Sequence, residues 1–250
     1  MDSEIKIKNT TLIRGEDQPI EFEVVDENDQ PVDGGKTVVK LNKKTVLRGE
    51  VVEGKFSAQL DFDEFKNEEY DLDIIYGGND ECDPADYSAK LYIRDVEFVD
   101  IPAFDLQNAN YRLTRWIDVN KKLPGKIAIA DKQIPVGHLL FILASAVKDI
   151  DVCDCTSIST YQVANPKVSS ENLKENITLS KDEYIKVADE IIEKSQADFE
   201  APKCVMIDAE TKIGFMNLIY SFAKIVANSS TNSGLISEFT IRPWNDIVKK

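Results

Sequence analysis

The sequence predicts a multidomain chain: an all-β immunoglobulin-like sandwich over residues 1–98, followed by a mainly α domain of helix–strand–helix repeats over residues 99–250. Three observations lead there. Apolar and polar residues alternate with period two between Glu4 and Arg94. Helical spacing replaces that alternation near residue 100, and the charge balance changes at the same place. Two later stretches, Lys121 to Val147 and Glu200 to Val226, share one succession of a Pro step, a short strand and an apolar helix.

In the first part the runs "EIKIKNTTLIR", "IEFEVV", "KTVVKLN", "KFSAQLDF", "YDLDIIYG" and "AKLYIRDV" read as strands. The segments between them, "DENDQPVDGG", "VEGK" and "GGNDECDPAD", carry the Asn, Asp, Gly and Pro of turns. Short strands at this spacing point to an antiparallel sandwich with a hydrophobic core, since the Cys…Trp…Cys pattern of antibody domains is missing. "DENDQPVDGGKTVVKLN", "VVEGKFSAQLDF" and "YDLDIIYGGNDECDPADYSAKLYI" resemble the Ig-like repeats of large bacterial and archaeal surface proteins. Tyr70, Tyr76, Gly77, Gly78 and Asn79 carry the match to the last motif, while Asp29 stands where Gly is common in the first turn. The resemblance implies a stalk spacer or an adhesive head.

The second part begins near "DVEFVDIPAFD". Leu106, Ala109, Leu113, Trp116 and Ile117 recur at three and four, one face of an amphipathic helix. Pro124 ends it, because Pro disfavours α geometry in the residue before it and has no N–H to donate. Ile127 and Ile129 then alternate as a strand, and "IPVGHLLFILASAVKDI" is a second, more apolar helix. Aligning the later stretch places Pro124 with Pro202, Ile127 with Val205, Ile129 with Ile207, Leu139 with Leu218, Phe141 with Tyr220 and Val147 with Val226. The preceding helices align as Leu113, Trp116 and Ile117 over Ala188, Ile191 and Ile192, with an insertion at Ser195 to Phe199 in the second copy. "GLISEFTIRPW" repeats the strand once more. The copies are expected at about 104–150 and 180–228, with a partial third at 234–244.

"WIDVNKKLPGKIAI" followed by "IPVGHLLFILASA" resembles the pseudomurein-binding repeat, whose run is "Y-I-x-x-N-x-x-L-P-x-x-V-x-I", a polar turn, then "[FL]-L-[YF]-[LM]-[LM]-A-x-A". "EYIKVADEIIEKSQADFEAPKCVMI" with "KIGFMNLIYSFAKIV" resembles a variant copy, and "GLISEFTIRPW" the family's ending. Gly125-Lys126 and Ile236-Ser237 depart from its usual residues. The resemblance implies a non-catalytic, adhesin-like cell-surface fragment that anchors to the pseudomurein cell wall of a methanogenic archaeon. It also implies that the chain is part of a longer exported protein and displays its first domain towards the surface of partner cells. Asn9-Thr-Thr, Asn176-Ile-Thr and Asn228-Ser-Ser fit the glycosylation sequon, in keeping with a surface location. Binding a sugar–peptide polymer calls for an aromatic ring to stack on sugars, with amide and charged donors around it. Tyr111, Trp116, Lys121, Lys122, Lys126 and Gln133 are the candidates in the first copy, and Tyr184, Lys203 and Tyr220 in the second. Trp116 and Tyr220 lie on apolar helix faces, where core packing is the competing role, and lysines are commonly solvated surface. Weak sites, repeated, would act by avidity.

The alternative is the non-catalytic targeting region of a pseudomurein-cleaving cysteine endopeptidase. Cysteine catalysis needs a thiolate beside an imidazole held by a carboxylate. The one histidine, His138, opens a repeat helix where the second copy has Asn217, which favours a surface or half-buried role over catalysis. No nucleophile elbow, phosphate loop or paired-carboxylate motif occurs, so no enzyme and no cofactor are expected. Cys82, Cys153, Cys155 and Cys204 have no zinc-ligand spacing and are read either as reduced thiols or as disulfide partners.

Composition supports a globular chain of 250 residues, 42% hydrophobic and 30% charged. Residues 1–100 hold 26 Asp+Glu against 12 Lys+Arg, and residues 101–250 hold 19 against 18, out of a net charge of −15. So acidic a first part disfavours nucleic acid and anionic membranes. No apolar run approaches the roughly 18–20 residues of a membrane helix, and "DSEIKIK" after Met1 is not a signal peptide.

Overall fold

The computed structural model describes residues 1–16, 18–61, 65–152, 156–229 and 234–249. The chain is a mixed one, about 30% helix and 38% strand, and its strands are divided among many small sheets. This corrects the expected class of an all-β immunoglobulin-like sandwich followed by a mainly α repeat domain. By its contacts the chain forms two compact units, Met1–Val96 and Glu97–Lys250.

The first unit holds β1 (Ser3–Ile7), β2 (Thr11–Arg14), β3 (Pro19–Asp26), β4 (Lys36–Leu41), β5 (Lys44–Glu50), β6 (Lys55–Gln59), β7 (Glu69–Tyr76) and β8 (Ala85–Asp95). They form a three-stranded sheet, β1-β3-β6, and a five-stranded sheet, β2-β8-β7-β4-β5. The expectation of a wholly antiparallel unit fails at β2, which runs parallel to β8 with Leu12 opposite Ile93. A four-residue strand with three buried positions has no alternation from which its direction can be read. Where period two is long enough it works: β7 buries Tyr70, Leu72, Ile74 and Tyr76 on one face. Phe22 and Phe56 stack at 4.9 Å within the same core. Turn chemistry closes the strands. Asn42 and Lys43 both take positive φ between β4 and β5, the geometry a two-residue hairpin requires. Asp29 adopts φ 60°, in the left-handed region a Gly would occupy, and its carboxylate takes a hydrogen bond from Lys6 Nζ at 2.5 Å.

The second unit holds β9 (Phe98–Pro102), α1 (Ala103–Asn120), β10 (Lys126–Ile129), β11 (Lys132–Pro135), α2 (Val136–Asp151) and β12 (Ser157–Tyr161). It continues through β13 (Ile177–Ser180), α3 (Lys181–Asp198), β14 (Cys204–Met206), β15 (Lys212–Gly214), α4 (Phe215–Asn228), β16 (Glu238–Ile241) and α5 (Trp244–Val248). The repeated unit is therefore strand, helix, hairpin, helix, strand. In each copy the first and last strands pair antiparallel: β9 with β12, Ile101 opposite Ile158, and β13 with β16, Leu179 opposite Phe239. Single strands expected at Ile127–Ile129 and at Cys204–Ile207 are each the first arm of a hairpin, with Ile127 opposite Ile134 and Val205 opposite Ile213. "GLISEFTIRPW" is not the start of a third copy. It supplies β16, the strand that closes the second.

The helices match at one constant spacing. Buried Leu106, Ala109, Asn110, Leu113 and Ile117 of α1 correspond to Tyr184, Val187, Ala188, Ile191 and Ser195 of α3. Both helices then end on a residue in the left-handed region, Lys121 (φ 57°) and Phe199 (φ 51°). The alignment that set Leu113 over Ala188 was three residues out, and there is no insertion at Ser195–Phe199. Sliding a helix by nearly one turn brings the same face back into register, so the apolar positions still coincide. In α2 and α4 the expected pairing of Leu139 with Leu218, Phe141 with Tyr220 and Val147 with Val226 holds, and all six are buried.

The connection 162–176 straps the second copy together. The Glu171 carboxylate accepts hydrogen bonds from Gly214 N (3.1 Å), Asn217 Nδ2 (3.0 Å) and Trp244 N (2.7 Å), so it joins a hairpin, α4 and the start of α5. Asn165, earlier in the same connection, accepts from Gly137 N at 2.6 Å, where a Cβ on Gly137 would come within 2.5 Å of Ala164 O.

Candidate functional site

Helix α1 buries Leu106, Ala109, Leu113 and Ile117 and leaves the opposite face open. That open face is unusually apolar. Phe104 and Val119 are each 73% exposed, Tyr111 64% and Trp116 37%. Isolated exposed apolar residues are ordinary, but four on one helix are a candidate contact surface. Phe104, Asn108, Tyr111 and Arg115 fall at i, i+4, i+7 and i+11, one row along the helix. Beside the row lies an open hollow of about 430 Å³ lined by Asp105, Asn108, Tyr111, Arg112 and Ala130. Arg112 Nη2 donates to Ala128 O of β10 at 3.2 Å, which holds the guanidinium at the edge of the hollow.

Of the residues expected to bind, Tyr111 stands on this face and Trp116 at the margin between it and the buried side. Tyr111 lines the hollow, and Trp116 carries Lys122 Nζ 5.9 Å from its ring centre. The competing role for Trp116, core packing, holds only in part, since over a third of it remains open. Lys121 is turned to a structural use: its Nζ donates to Ile247 O of α5 at 3.1 Å. Lys126 is exposed at the start of β10, and Gln133 is exposed on β11 opposite Ala128. Lys203 is exposed, while its carbonyl accepts from Ser170 N and Phe215 N at 3.2 and 3.0 Å.

The aromatic candidates of the second copy are corrected. Tyr184 is fully buried, its hydroxyl donates to Ile236 O at 2.5 Å, and burial pushes its pKa up to about 12. Tyr220 is buried, donates to Asp118 Oδ1 at 2.5 Å, and packs edge-on to Trp244. Lys224 Nζ sits 4.6 Å from the Tyr220 ring centre and 3.7 Å from Asp118 Oδ2. Burial, then the bond to Asp118, raises the Tyr220 pKa. Neither ring has a face left for a sugar. They hold α3 and α4 in place.

His138 is also corrected, from a surface or half-buried position to the core. Its Nε2 lies 2.9 Å from Thr160 Oγ1, and burial lowers its pKa to about 4. Cys82 is buried and Cys204 half-buried, and both are free thiols. Cys153, Cys155 and the Ser230 of the last sequon lie outside the described residues. Among the described residues no group of three His, Cys, Asp or Glu is placed to hold a metal ion, and no helix is long and apolar enough to cross a membrane.

Sequence reasoning missed Phe104, Asp105, Asn108, Arg112, Arg115 and Val119. A signal was available: these residues share the face opposite Leu106, Leu113 and Ile117, and an aromatic there is out of place on a solvated helix. A scan against protein-family models finds no match for this chain, and a search of the curated proteins likewise finds none.

Proposed function

We propose that this chain is a non-catalytic binding protein of a cell surface, and that its second unit holds it to the pseudomurein wall of a methanogenic archaeon. One observation supports this reading above the others: the open face of α1, where Tyr111 stands among Phe104, Asn108, Arg112 and Arg115, with the half-open Trp116 and Lys122 at the margin of the helix. An exposed ring packs on the C–H face of a sugar, and the amide and guanidinium groups donate to its hydroxyls and carboxylates. A site on a helix that is itself packed on α4 is held rigid, which lowers the entropic cost of binding. The first unit acts as spacer or adhesive part, and its excess of carboxylates keeps it off anionic surfaces.

The test is co-sedimentation of the full chain with purified pseudomurein sacculi and with bacterial murein. Retention by pseudomurein alone is the expected result. A chain that stays in the supernatant with both, or that pellets equally with both, overturns the proposal.

A further inference from the structure

The two copies of the second unit pair their strands within themselves and pack their helices on each other. Strands β9 and β12, and β10 and β11, belong to the first copy; β13 and β16, and β14 and β15, belong to the second. The helices go the other way. Helix α1 lies on α4, α3 lies on α2, and α2 lies on α4, while no comparable packing joins α1 to α2 or α3 to α4 among the described residues. Polar contacts follow the helices. Asp118 of α1 meets Tyr220 and Lys224 of α4, and Gln107 of α1 donates to Ser229 O at 2.5 Å. Across α2 and α3, Lys148 pairs with Asp189 at 2.8 Å and Asp151 pairs with Lys181.

These contacts decide which copy a copy accepts. The spacing that aligns α2 with α4 puts Phe141 and Ser145 where Tyr220 and Lys224 stand, and Ala227 where Lys148 stands. A first copy packed on another first copy would leave Asp118 without its hydroxyl and ammonium partners. A second packed on a second would leave Asp189 without its lysine. Each copy therefore selects the unlike one, but nothing in the contacts requires that one to come from the same chain. The covalent link is the connection 162–176. On one side of it Asn165 accepts from Gly137 N of the first copy, and on the other Ser170 N donates to Lys203 O of the second at 3.2 Å. Between them, residues 166–169 make no backbone hydrogen bond among the described residues, and Lys167, Val168 and Ser169 are exposed.

We infer that two chains exchange their second copies at this hinge, forming a reciprocal dimer in which the first copy of each chain is completed by the second copy of the other. The partner is a second copy of this chain, and every contact it makes already exists in the single chain. A connection of this length holds the copies of one chain at an effective concentration on the order of millimolar. The monomer therefore dominates in dilute solution, and exchange is favoured when chains fold crowded together or when the hinge is too short to close.

The experiment uses the full chain, refolded from urea at several concentrations with its thiols kept reduced, and reads mass by light scattering and native mass spectrometry. One variant carries Lys148→Glu with Asp151→Lys, and the other, isotopically labelled, carries Lys181→Asp with Asp189→Lys. Alone, each sets like charges against each other between α2 and α3. After exchange, every first copy meets a second copy of opposite charge. The mixture is expected to give a mixed dimer at least fivefold more abundant than the dimer of either variant alone. Deleting Lys167, Val168 and Ser169 from the parent chain is expected to raise its dimer fraction at least fivefold, which tests the hinge even if the charge variants fail to fold alone. Labelled and unlabelled chains that pair at random, or a folded deletion variant that stays monomeric, overturns the inference. A dimer that dissociates on Tyr111→Ala overturns it too, since the open face of α1 would then be the interface.

Discussion

Asn110 is the residue whose burial is hardest to justify. It sits on the packed face of α1, fully buried, and neither atom of its amide has a hydrogen-bond partner among the described residues. Its counterpart in α3 is Ala188. An unsatisfied buried amide costs about 1–3 kcal/mol, so Asn110→Ala is expected to stabilise the second unit by about 1 kcal/mol in urea unfolding. A loss of stability would show that the amide is satisfied. His138 makes a pH prediction. Its folded pKa of about 4 lies below the unfolded value near 6.5, so the folded state holds fewer protons. Its contribution is present above pH 6.5 and is lost as pH falls from there through 4, roughly 3 kcal/mol in all. His138→Asn, which installs the residue of the second copy, is expected to flatten that part of the pH–stability curve relative to the parent. Equal acid sensitivity in both would refute the assignment. From sequence, His138 and Tyr184 were visible as special residues but not as buried ones, because a polar residue on a helix reads as solvated until the packing partner is known.

At the scale of elements, the strap at Glu171 is the feature no pattern announced. One carboxylate there takes three donors from β15, α4 and the start of α5, which lie 43, 46 and 73 residues further along the chain. Glu171→Ala leaves Gly214 N, Asn217 Nδ2 and Trp244 N to find other acceptors, and is expected to cost about 2–4 kcal/mol. In a Trp116→Phe background the fluorescence reports on Trp244 alone, and its unfolding midpoint should fall accordingly. A shift under about 0.5 kcal/mol, within the usual range for an unremarkable surface change, would mean the strap is dispensable. Long apolar helices were legible, since α2 and α4 bury nearly every position and admit one alignment. The α1 and α3 register was not, because an amphipathic face tolerates a slip of three. Strands of three or four residues, such as β11 and β15, are too short to show period two and read as the start of the helix that follows.

For the whole molecule, charge and the position of the two tryptophans make the units separately measurable. The excess of carboxylates lies in the first hundred residues, and both Trp116 and Trp244 lie in the second unit. Self-repulsion among like charges is screened by salt over a Debye length of about 10 Å at 0.1 M. Raising sodium chloride is therefore expected to increase the melting temperature seen by far-UV circular dichroism for the first unit by a few degrees. The transition seen by tryptophan fluorescence should move less. Equal shifts would mean that the charge excess is not what limits the first unit. The sequence by itself determined where alternation yields to helical spacing, the charge asymmetry, the duplicated apolar helices and the turns that need a left-handed residue. Each of these depends on neighbours within a few positions. Only the tertiary structure decided that β2 runs parallel to β8, that β16 closes the second copy, that Tyr184 and Tyr220 are interior, and that the open aromatic face belongs to α1. Those depend on pairing between strands and on which side of a helix another element covers, and both are settled by contacts across many residues of chain.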